Sequence, residues 1–321
     1  MTEKERFIRA LKREPLTGHV PTFELVFFLT MESIGKVHPS QRHYGQWNQM
    51  SESEKKLQIS DMADCYIEIA KKYHHSAIFA HPNPGDFENT VRLLETIREK
   101  SGDEYFIMMH GDPTFSIPDG TNMVEFTRRL YEDGDSLKNE AELRMFEKVS
   151  FAERMAKHPG LLDGFALCSD YCFNVNPFFS PAMFGEFITP YLSRVIAEYR
   201  GMGFFSIKHT DGNIMPIATQ MVDCEPDAIH SLDPQGGVSL AEMKKLYGDK
   251  VTLIGNVNCG LLQTGTEEEC VADVLRCLKE GMEGWGYIFS TSNCAYTGLP
   301  LERYELMNRI WWENGVYKNA E

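Results

Sequence analysis

Eight short runs rich in apolar and β-forming residues recur along the 321 residues, each followed by a longer amphipathic stretch. They are PTFELVF (21–27), SAIFAH (76–81), EYFIMMH (104–110), GFALCSD (164–170), GFFSIKH (203–209), DAIHSL (227–232), VTLIGNV (251–257) and GYIFSTS (286–292). Several are continuously apolar, as strands covered on both faces must be. Between them, 51–73 has apolar residues at helical spacing, and 180–203 opens on Ser-Pro and ends in glycines. The segments 239–248 and 266–281 each start on a hydroxyl residue with a glutamate three positions on, the pattern of a capping box. Strands alternating with helices read as parallel βα units. At this length a closed (β/α)8 TIM barrel, one domain over 1–321, is the simplest solution. The stretch 28–50 reads as an irregular insertion after the first strand, expected to lie over the barrel mouth.

Charge narrows the partners. Lys and Arg total 32 against 47 Asp and Glu, a net charge of -15. Such a surface repels phosphate backbones and anionic lipid, so no nucleic acid and no membrane partner is expected. No apolar run approaches the about 18–20 residues of a membrane span. The opening MTEKERFIRALKREP has no apolar core and reads as a first helix. The eight cysteines form no CxxC pair and are expected reduced, in a cytoplasmic protein.

A barrel of this kind presents its site at the C-terminal ends of its strands. The sequence puts Glu24, His81, His110 with Asp112, and Asp170 with Tyr171 at the ends of the first four strands. It puts His209 with Asp211, His230 with Asp233, Asn256 with Asn258, and Cys294 at or just beyond the ends of the last four. His209 and Asp211 are two positions apart, so on an extended strand they share a face and can grip one object. Ser206 and Lys208 face the other way. Asp211 also has the chemistry to cap a helix begun by DGNIMP.

The segments FFSPAMFGEFITPYL, KHTDGNI, HSLDPQGGVSLAEMKKLYGDKVTLIGNVN and NCAYTGLPLERYELM resemble the uroporphyrinogen decarboxylase superfamily. The likeness reaches more weakly to ERFIRALKREPLTGHVP, and so spans most of the chain. It implies the same barrel and two kinds of activity. One branch decarboxylates a tetrapyrrole without metal and carries arginines after the first strand to read carboxylates. The corresponding FELVFFLTMESIG has none, which speaks against a polyanionic substrate. The other branch contains zinc methyltransferases that exchange methyl groups with a corrinoid protein.

For the methyltransferase branch the resemblance implies a His-x-Cys at the end of strand five and a Cys after strand eight. His209 and Cys294 occupy two of those places, and Asp211 stands where the middle cysteine would be. Zinc accepts carboxylate oxygen as well as thiolate. Asp233 is the candidate fourth ligand, from a spacing similar to that in cobalamin-independent methionine synthases, with His230 and Glu24 behind it and an open position filled by water or substrate as an equal alternative. A carboxylate-bearing site is harder than a thiolate-rich one and suits polarising oxygen rather than activating a thiol. The expected activity is therefore transfer of a methyl group from an oxygen-linked donor, for example an aryl methyl ether, to Co(I). His110 or Tyr171 would protonate the departing oxygen, Asp170 would orient them, and Asn256 is a candidate cofactor contact. Phe28, Tyr44 and Trp47 of the insertion are expected to pack as core or lid, with the floor of a pocket for an aromatic substrate as the alternative. The base-off cobalamin motif D-x-H-x-x-G does not occur, so the corrinoid is expected on a separate partner protein. Methylation of a thiol such as coenzyme M, decarboxylation, a zinc hydrolase and a non-catalytic corrinoid-protein scaffold are the alternatives. The hydrolase fits least, because residues 21–27 contain no histidine for a His-x-His.

Overall fold

A computed structural model describes residues 1–317. Two strands lie outside the barrel: β1 (Gly18–His19) and β9 (Val316–Tyr317), which pair antiparallel at its base. The barrel strands are β2 (Ala77–Ala80), β3 (Phe106–His110), β4 (Gly164–Leu167), β5 (Phe205–His209), β6 (Ala228–His230), β7 (Thr252–Ile254) and β8 (Tyr287–Ile288). They form one parallel sheet in chain order, each hydrogen-bonded to the next.

Segment 21–27, expected as the first strand, is extended but ragged. It touches both edges of the sheet: Phe289 N–H donates to Pro21 O (2.9 Å), and Ser76 N–H donates to Thr22 O (2.6 Å). Parallel bridges join Thr22 to Phe289 and Phe27 to Ala295. Pro21 has no N–H to give to a ladder, one physical reason the pairing is broken at its start. The segment nevertheless stands in the eighth place and closes a (β/α)8 TIM barrel, as the sequence periodicity predicts.

The helices follow the capping chemistry. Helix Glu52–Tyr73 opens on a Ser51/Glu54 capping box, and Glu267–Gly281 on a Thr266/Glu269 box. Helix Leu240–Tyr247 has the Ser239 cap, with Ser239 Oγ accepting from Glu242 N–H (3.2 Å). The single helix expected over 180–203 is two, Pro181–Phe187 and Thr189–Gly201, broken at Ile188. Pro190 lies in the first turn of the second, where its missing N–H costs nothing. The connection between β3 and β4 carries two helices, Met123–Glu132 and Gly134–Met155, neither of them named from the sequence.

Helix Glu3–Leu11 plugs the N-terminal end of the barrel. Phe7 meets Phe23 (ring centroids 5.6 Å) and Phe106 (4.8 Å), and Thr252 Oγ1 donates to Ala10 O (2.8 Å). With the base filled by apolar side chains, polar strand-end residues gather at the opposite mouth. The insertion 28–50 is not wholly irregular: it holds a short helix, Thr30–Ile34, and two single turns. Trp47 is buried edge-on to Tyr44 (5.2 Å), and Phe28 lies edge-on to His38 (5.1 Å). Among the described residues no helix is long and apolar enough to cross a membrane.

Candidate functional site

The centre of the mouth is built where β4, β5 and β6 end. His209, the last residue of β5, is buried. Its Nε2 lies 3.7 Å from Asp211 Oδ1 and 3.9 Å from Asp170 Oδ1. The donor atoms of Asp170, His209 and Asp211 all lie within 4.8 Å of one another, the one such set of three among the described residues.

The two carboxylates are held in place. Asp170 Oδ1 accepts the N–H of Asp211 (3.1 Å), which ties the loop after β4 to the loop after β5. Asp211 accepts from Ser231 Oγ (2.8 Å) and from Asn293 Nδ2 (2.5 Å). It does not cap a helix; the next one, Ala218–Asp223, begins at Ile217. Burial pushes the Asp211 carboxyl above its ordinary value, His209 works to lower it, and Asp170 and Asp233 push it up further. Crowded carboxylates with this bias favour a cation among them.

Backbone contact makes this possible. Gly212 has φ +77°, and a Cβ there would run into the Phe173 carbonyl. A Cβ at Gly236 would come within 2.5 Å of the Gly212 carbonyl carbon. The loops after β4, β5 and β6 thus touch backbone to backbone, which only glycine permits.

Behind the cluster lies a second polar unit. Lys208 points away from His209 and is fully buried. Its Nζ donates to Asp112 Oδ2 (2.8 Å), Leu167 O (3.0 Å) and Ser169 O (2.9 Å), and lies 4.0 Å from the Tyr171 ring centroid. Asp112 also accepts from the N–H groups of Thr114 and Ser169 and from Thr114 Oγ1. Burial works to raise the Asp112 carboxyl, but the Lys208 charge and these hydrogen bonds outweigh it, and the group stays ionised. The pair staples the ends of β3, β4 and β5 one residue away from Asp170 and from His209. The sequence reading missed it, although a lysine inside an apolar strand run was the available signal.

The remaining candidates are placed differently. Tyr171 does not face the mouth. It is wholly buried against Phe184 (5.1 Å), its hydroxyl is bonded to Thr114 Oγ1 (2.7 Å), and burial holds its pKa well above the ordinary value. Asp170 makes no hydrogen bond to it or to His110, so the orienting role is replaced by membership of the cluster. His110 stands exposed at the end of β3; the protein around the ring lowers its pKa, Asp112 opposing. Asn256 is buried and consumed: Nδ2 donates to Leu232 O (2.7 Å), and Oδ1 accepts from Arg276 (3.2 Å). Asn258 caps helix Cys259–Thr264.

Asp233 lies outside the cluster. Its carboxylate accepts from Gly212 N–H (3.2 Å) and Gln235 N–H (2.9 Å) and shapes the loop after β6. The Cys294 sulfur is likewise not among the clustered donor atoms. Burial pushes that thiol up to about 12, with Cys259, Glu24 and Asp211 adding to the shift. Glu24 is buried and bonded to Thr291, with its pKa raised to about 8 by burial. His230 is not a free donor, because its Nδ1 lies 2.7 Å from His209 Nδ1.

One nitrogen and two carboxylate oxygens can hold a divalent ion. A tetrahedral zinc with bonds of about 2.0–2.1 Å sets its ligands roughly 3.4 Å apart. The two nitrogen-to-oxygen distances, 3.7 and 3.9 Å, need a few tenths of an ångström of closure, and all three donor atoms lie within 4.8 Å of one another. The donor set fits zinc, and being free of sulfur it equally suits harder divalent ions.

Fold and site define a class: a TIM barrel with a three-donor cluster where β4 and β5 end. Residues 170–310 match the family described as Uroporphyrinogen decarboxylase (URO-D), and the match covers the cluster. This bears out the superfamily resemblance read from the sequence. The structure is similar to that of a methyltransferase from Methanosarcina mazei, with TM-score 0.72 and 19% identity over 98% of this chain and 99% of that one. A D-psicose 3-epimerase with D-tagatose from Clostridium cellulolyticum H10 aligns with TM-score 0.44 and 10% identity over 83% of this chain and 92% of that one. No curated protein sequence matches the chain.

Proposed function

We propose that the chain is a methyltransferase that moves a methyl group from an oxygen-linked donor, such as an aryl methyl ether, to the Co(I) corrinoid of a separate protein. The observation that carries this reading is the sulfur-free donor set of Asp170, His209 and Asp211 in a superfamily whose methyltransferases use a metal. The M. mazei neighbour, described as a methyltransferase, supports the class of reaction. Zinc is the proposed ion, and when bound it supplies Lewis-acid stabilisation of charge on the departing oxygen.

The protein's own part is to hold and shield. Asp170 and Asp211, each already anchored by hydrogen bonds, offer charge without having to be reorganised. The methyl–oxygen bond breaks with its electron pair on oxygen, while Co(I) supplies the pair for the new bond to carbon. The oxygen must then take up a proton, and His110, exposed at the end of β3, is the proposed source. Tyr171 is withdrawn from that role by its burial. The acidic surface favours a partner with a basic docking face.

The test is a screen of methyl ethers and methanol-like donors with a reduced corrinoid protein, following the absorbance change from Co(I) to methyl-Co(III). Turnover of at least one oxygen-linked donor, lost on chelation and restored by zinc, is expected. Rapid methylation of coenzyme M from methyl-Co(III), with every ether and alcohol inert, would overturn the donor assignment.

A further inference from the structure

We propose that the end of β2 and the insertion beside it form a second subsite of the mouth, where His38 and His81 hold the ring of an uncharged methoxyarene that bears a hydroxyl group. The purpose given to this subsite rests on the methyl-transfer reading above; the binding itself does not.

The observation is a pair of imidazoles with unspent nitrogens. His38 is 3% exposed. Its Nδ1 accepts the N–H of Ser40 (3.2 Å) and lies 2.8 Å from Ser40 Oγ. A backbone N–H can only donate, so Nδ1 carries the lone pair and the hydrogen of the neutral ring sits on Nε2. That N–H has no partner among the described residues. His81 Nδ1 is buried and also has no partner. The two rings are 5.6 Å apart and steeply inclined to each other. Burial favours the neutral form of both, lowering His38 to about 3 and His81 to about 4, where the Phe79 backbone opposes it. A buried polar atom left unpaired is costly and calls for an occupant.

Both rings are held by bonds that do not use those nitrogens. The His81 N–H donates to Tyr66 Oη (2.9 Å) on helix Glu52–Tyr73. Asn83 Nδ2 donates to Pro39 O and to Arg42 O (both 2.8 Å), which ties the insertion to the loop after β2. Aromatic rings stand around the pair: Phe28 at 5.1 Å and Tyr66 at 5.7 Å from His38, and Phe79 at 4.4 Å from His81. Arg42, whose charge acts on His38, is turned to Val37 O (2.9 Å) and Asp61 (2.6 Å). Aromatic walls with two neutral imidazoles suit a flat, uncharged ligand. A phenolic hydroxyl accepts and donates at one atom, so it can take the His38 hydrogen and give its own to His81.

The position suits the chemistry. The register of Ala80 with Met109 carries His81 to the side of His110 on β3. Only β3 separates β2 from β4, whose end leads to Asp170. Neighbouring strands are about 4.8 Å apart, so the ends of β2 and β4 are roughly 10 Å from each other. A ring seated at His81 can present its methoxyl group toward the cluster, beside the proton source proposed at His110.

Calorimetry on the full chain compares 2-methoxyphenol with 2-methoxytoluene, which lacks the hydroxyl. Wild type is expected to prefer the phenol by about tenfold, and His81→Leu to erase that preference. A variant that weakens both probes alike, or neither, overturns the role of His81. Tighter binding of 4-methoxybenzoate than of 2-methoxyphenol overturns the uncharged class. A wild type that binds no methoxyarene overturns the subsite, even if it turns over methanol. One that binds 2-methoxyphenol with the expected preference, yet passes no methyl group to Co(I), defeats the methyl-transfer reading instead and leaves the subsite standing. Should His81→Leu not fold, nitrogen NMR of histidine-labelled wild type decides. Addition of 2-methoxyphenol is expected to move the ring signals of His38 and His81, and unmoved signals overturn the proposal.

Discussion

The two sides of the barrel mouth carry similar residue types and use them in opposite ways. Where β4, β5 and β6 end, Asp170, His209 and Asp211 converge, with donor capacity left over. Across the mouth, at the first extended segment, β7 and β8, the polar groups are spent on their own neighbours. Glu24 is bonded to Thr291, Asn256 to Leu232 and Arg276, and Asn258 to the start of a helix. The difference teaches that a polar residue at a strand end marks a site only if its bonds are not already satisfied. Exposure follows the same division: the Asp170 and Asp211 side chains are 45% and 29% exposed, whereas Glu24 and Asn256 are buried.

The Lys208–Asp112 pair is what lets the first side hold unpaired charge so near the core. Replacing Lys208 by Met strands a buried carboxylate, and denaturant unfolding is expected to show a loss of about 3–5 kcal/mol. A loss under 1 kcal/mol would mean that the pair does not support the loops. Next in size is Asp211→Asn. It keeps an acceptor for Ser231 but removes the charge, so Zn2+ affinity should fall by up to about 100-fold. The melting temperature of the metal-free protein should barely move.

Asn256→Ala sharpens the contrast from the other side. It leaves the Leu232 carbonyl and the Arg276 guanidinium short of a partner and should cost about 2 kcal/mol of stability. Zn2+ affinity should remain within twofold of wild type; a large loss would show that the two sides are coupled.

Glu24 gives the most graded effect. Its ordinary pKa is 4.5 and burial raises it to about 8. Between those values the folded protein keeps a proton that the unfolded chain has released. Stability therefore falls as pH rises through that window, by at most about 1.4 kcal/mol per pH unit from this group. Denaturant midpoints for Glu24→Gln at pH 5.5 and 8 should lack that part of the decline. Parallel declines in variant and wild type would mean that Glu24 is ionised throughout.

The barrel was legible because continuous apolar runs between helical stretches leave few other solutions, and capping pairs such as Ser51 with Glu54 mark helix starts directly. The first strand was legible in place but not in form, because Pro21 breaks the ladder that its composition suggests. His209 and Asp211 were legible as a pair through strand alternation. Asp170 as their partner was not, because that contact depends on how closely the loops after β4 and β5 approach, which Gly212 permits. Tyr171 shows the same gap in reverse: one residue beyond Asp170, it turns into the wall, and no local pattern encodes the turn. Cys294 follows a ligand pattern of the superfamily, yet the clustered donors number Asp170 and not its sulfur.

That substitution of oxygen for sulfur is the centre of the account, and X-ray absorption at the zinc edge reads it directly. The zinc-loaded protein is predicted to show nitrogen and oxygen neighbours at about 2.0–2.1 Å and no sulfur at about 2.3 Å. A sulfur neighbour that disappears in Cys294→Ser would contradict it, and would return Cys294 to the metal.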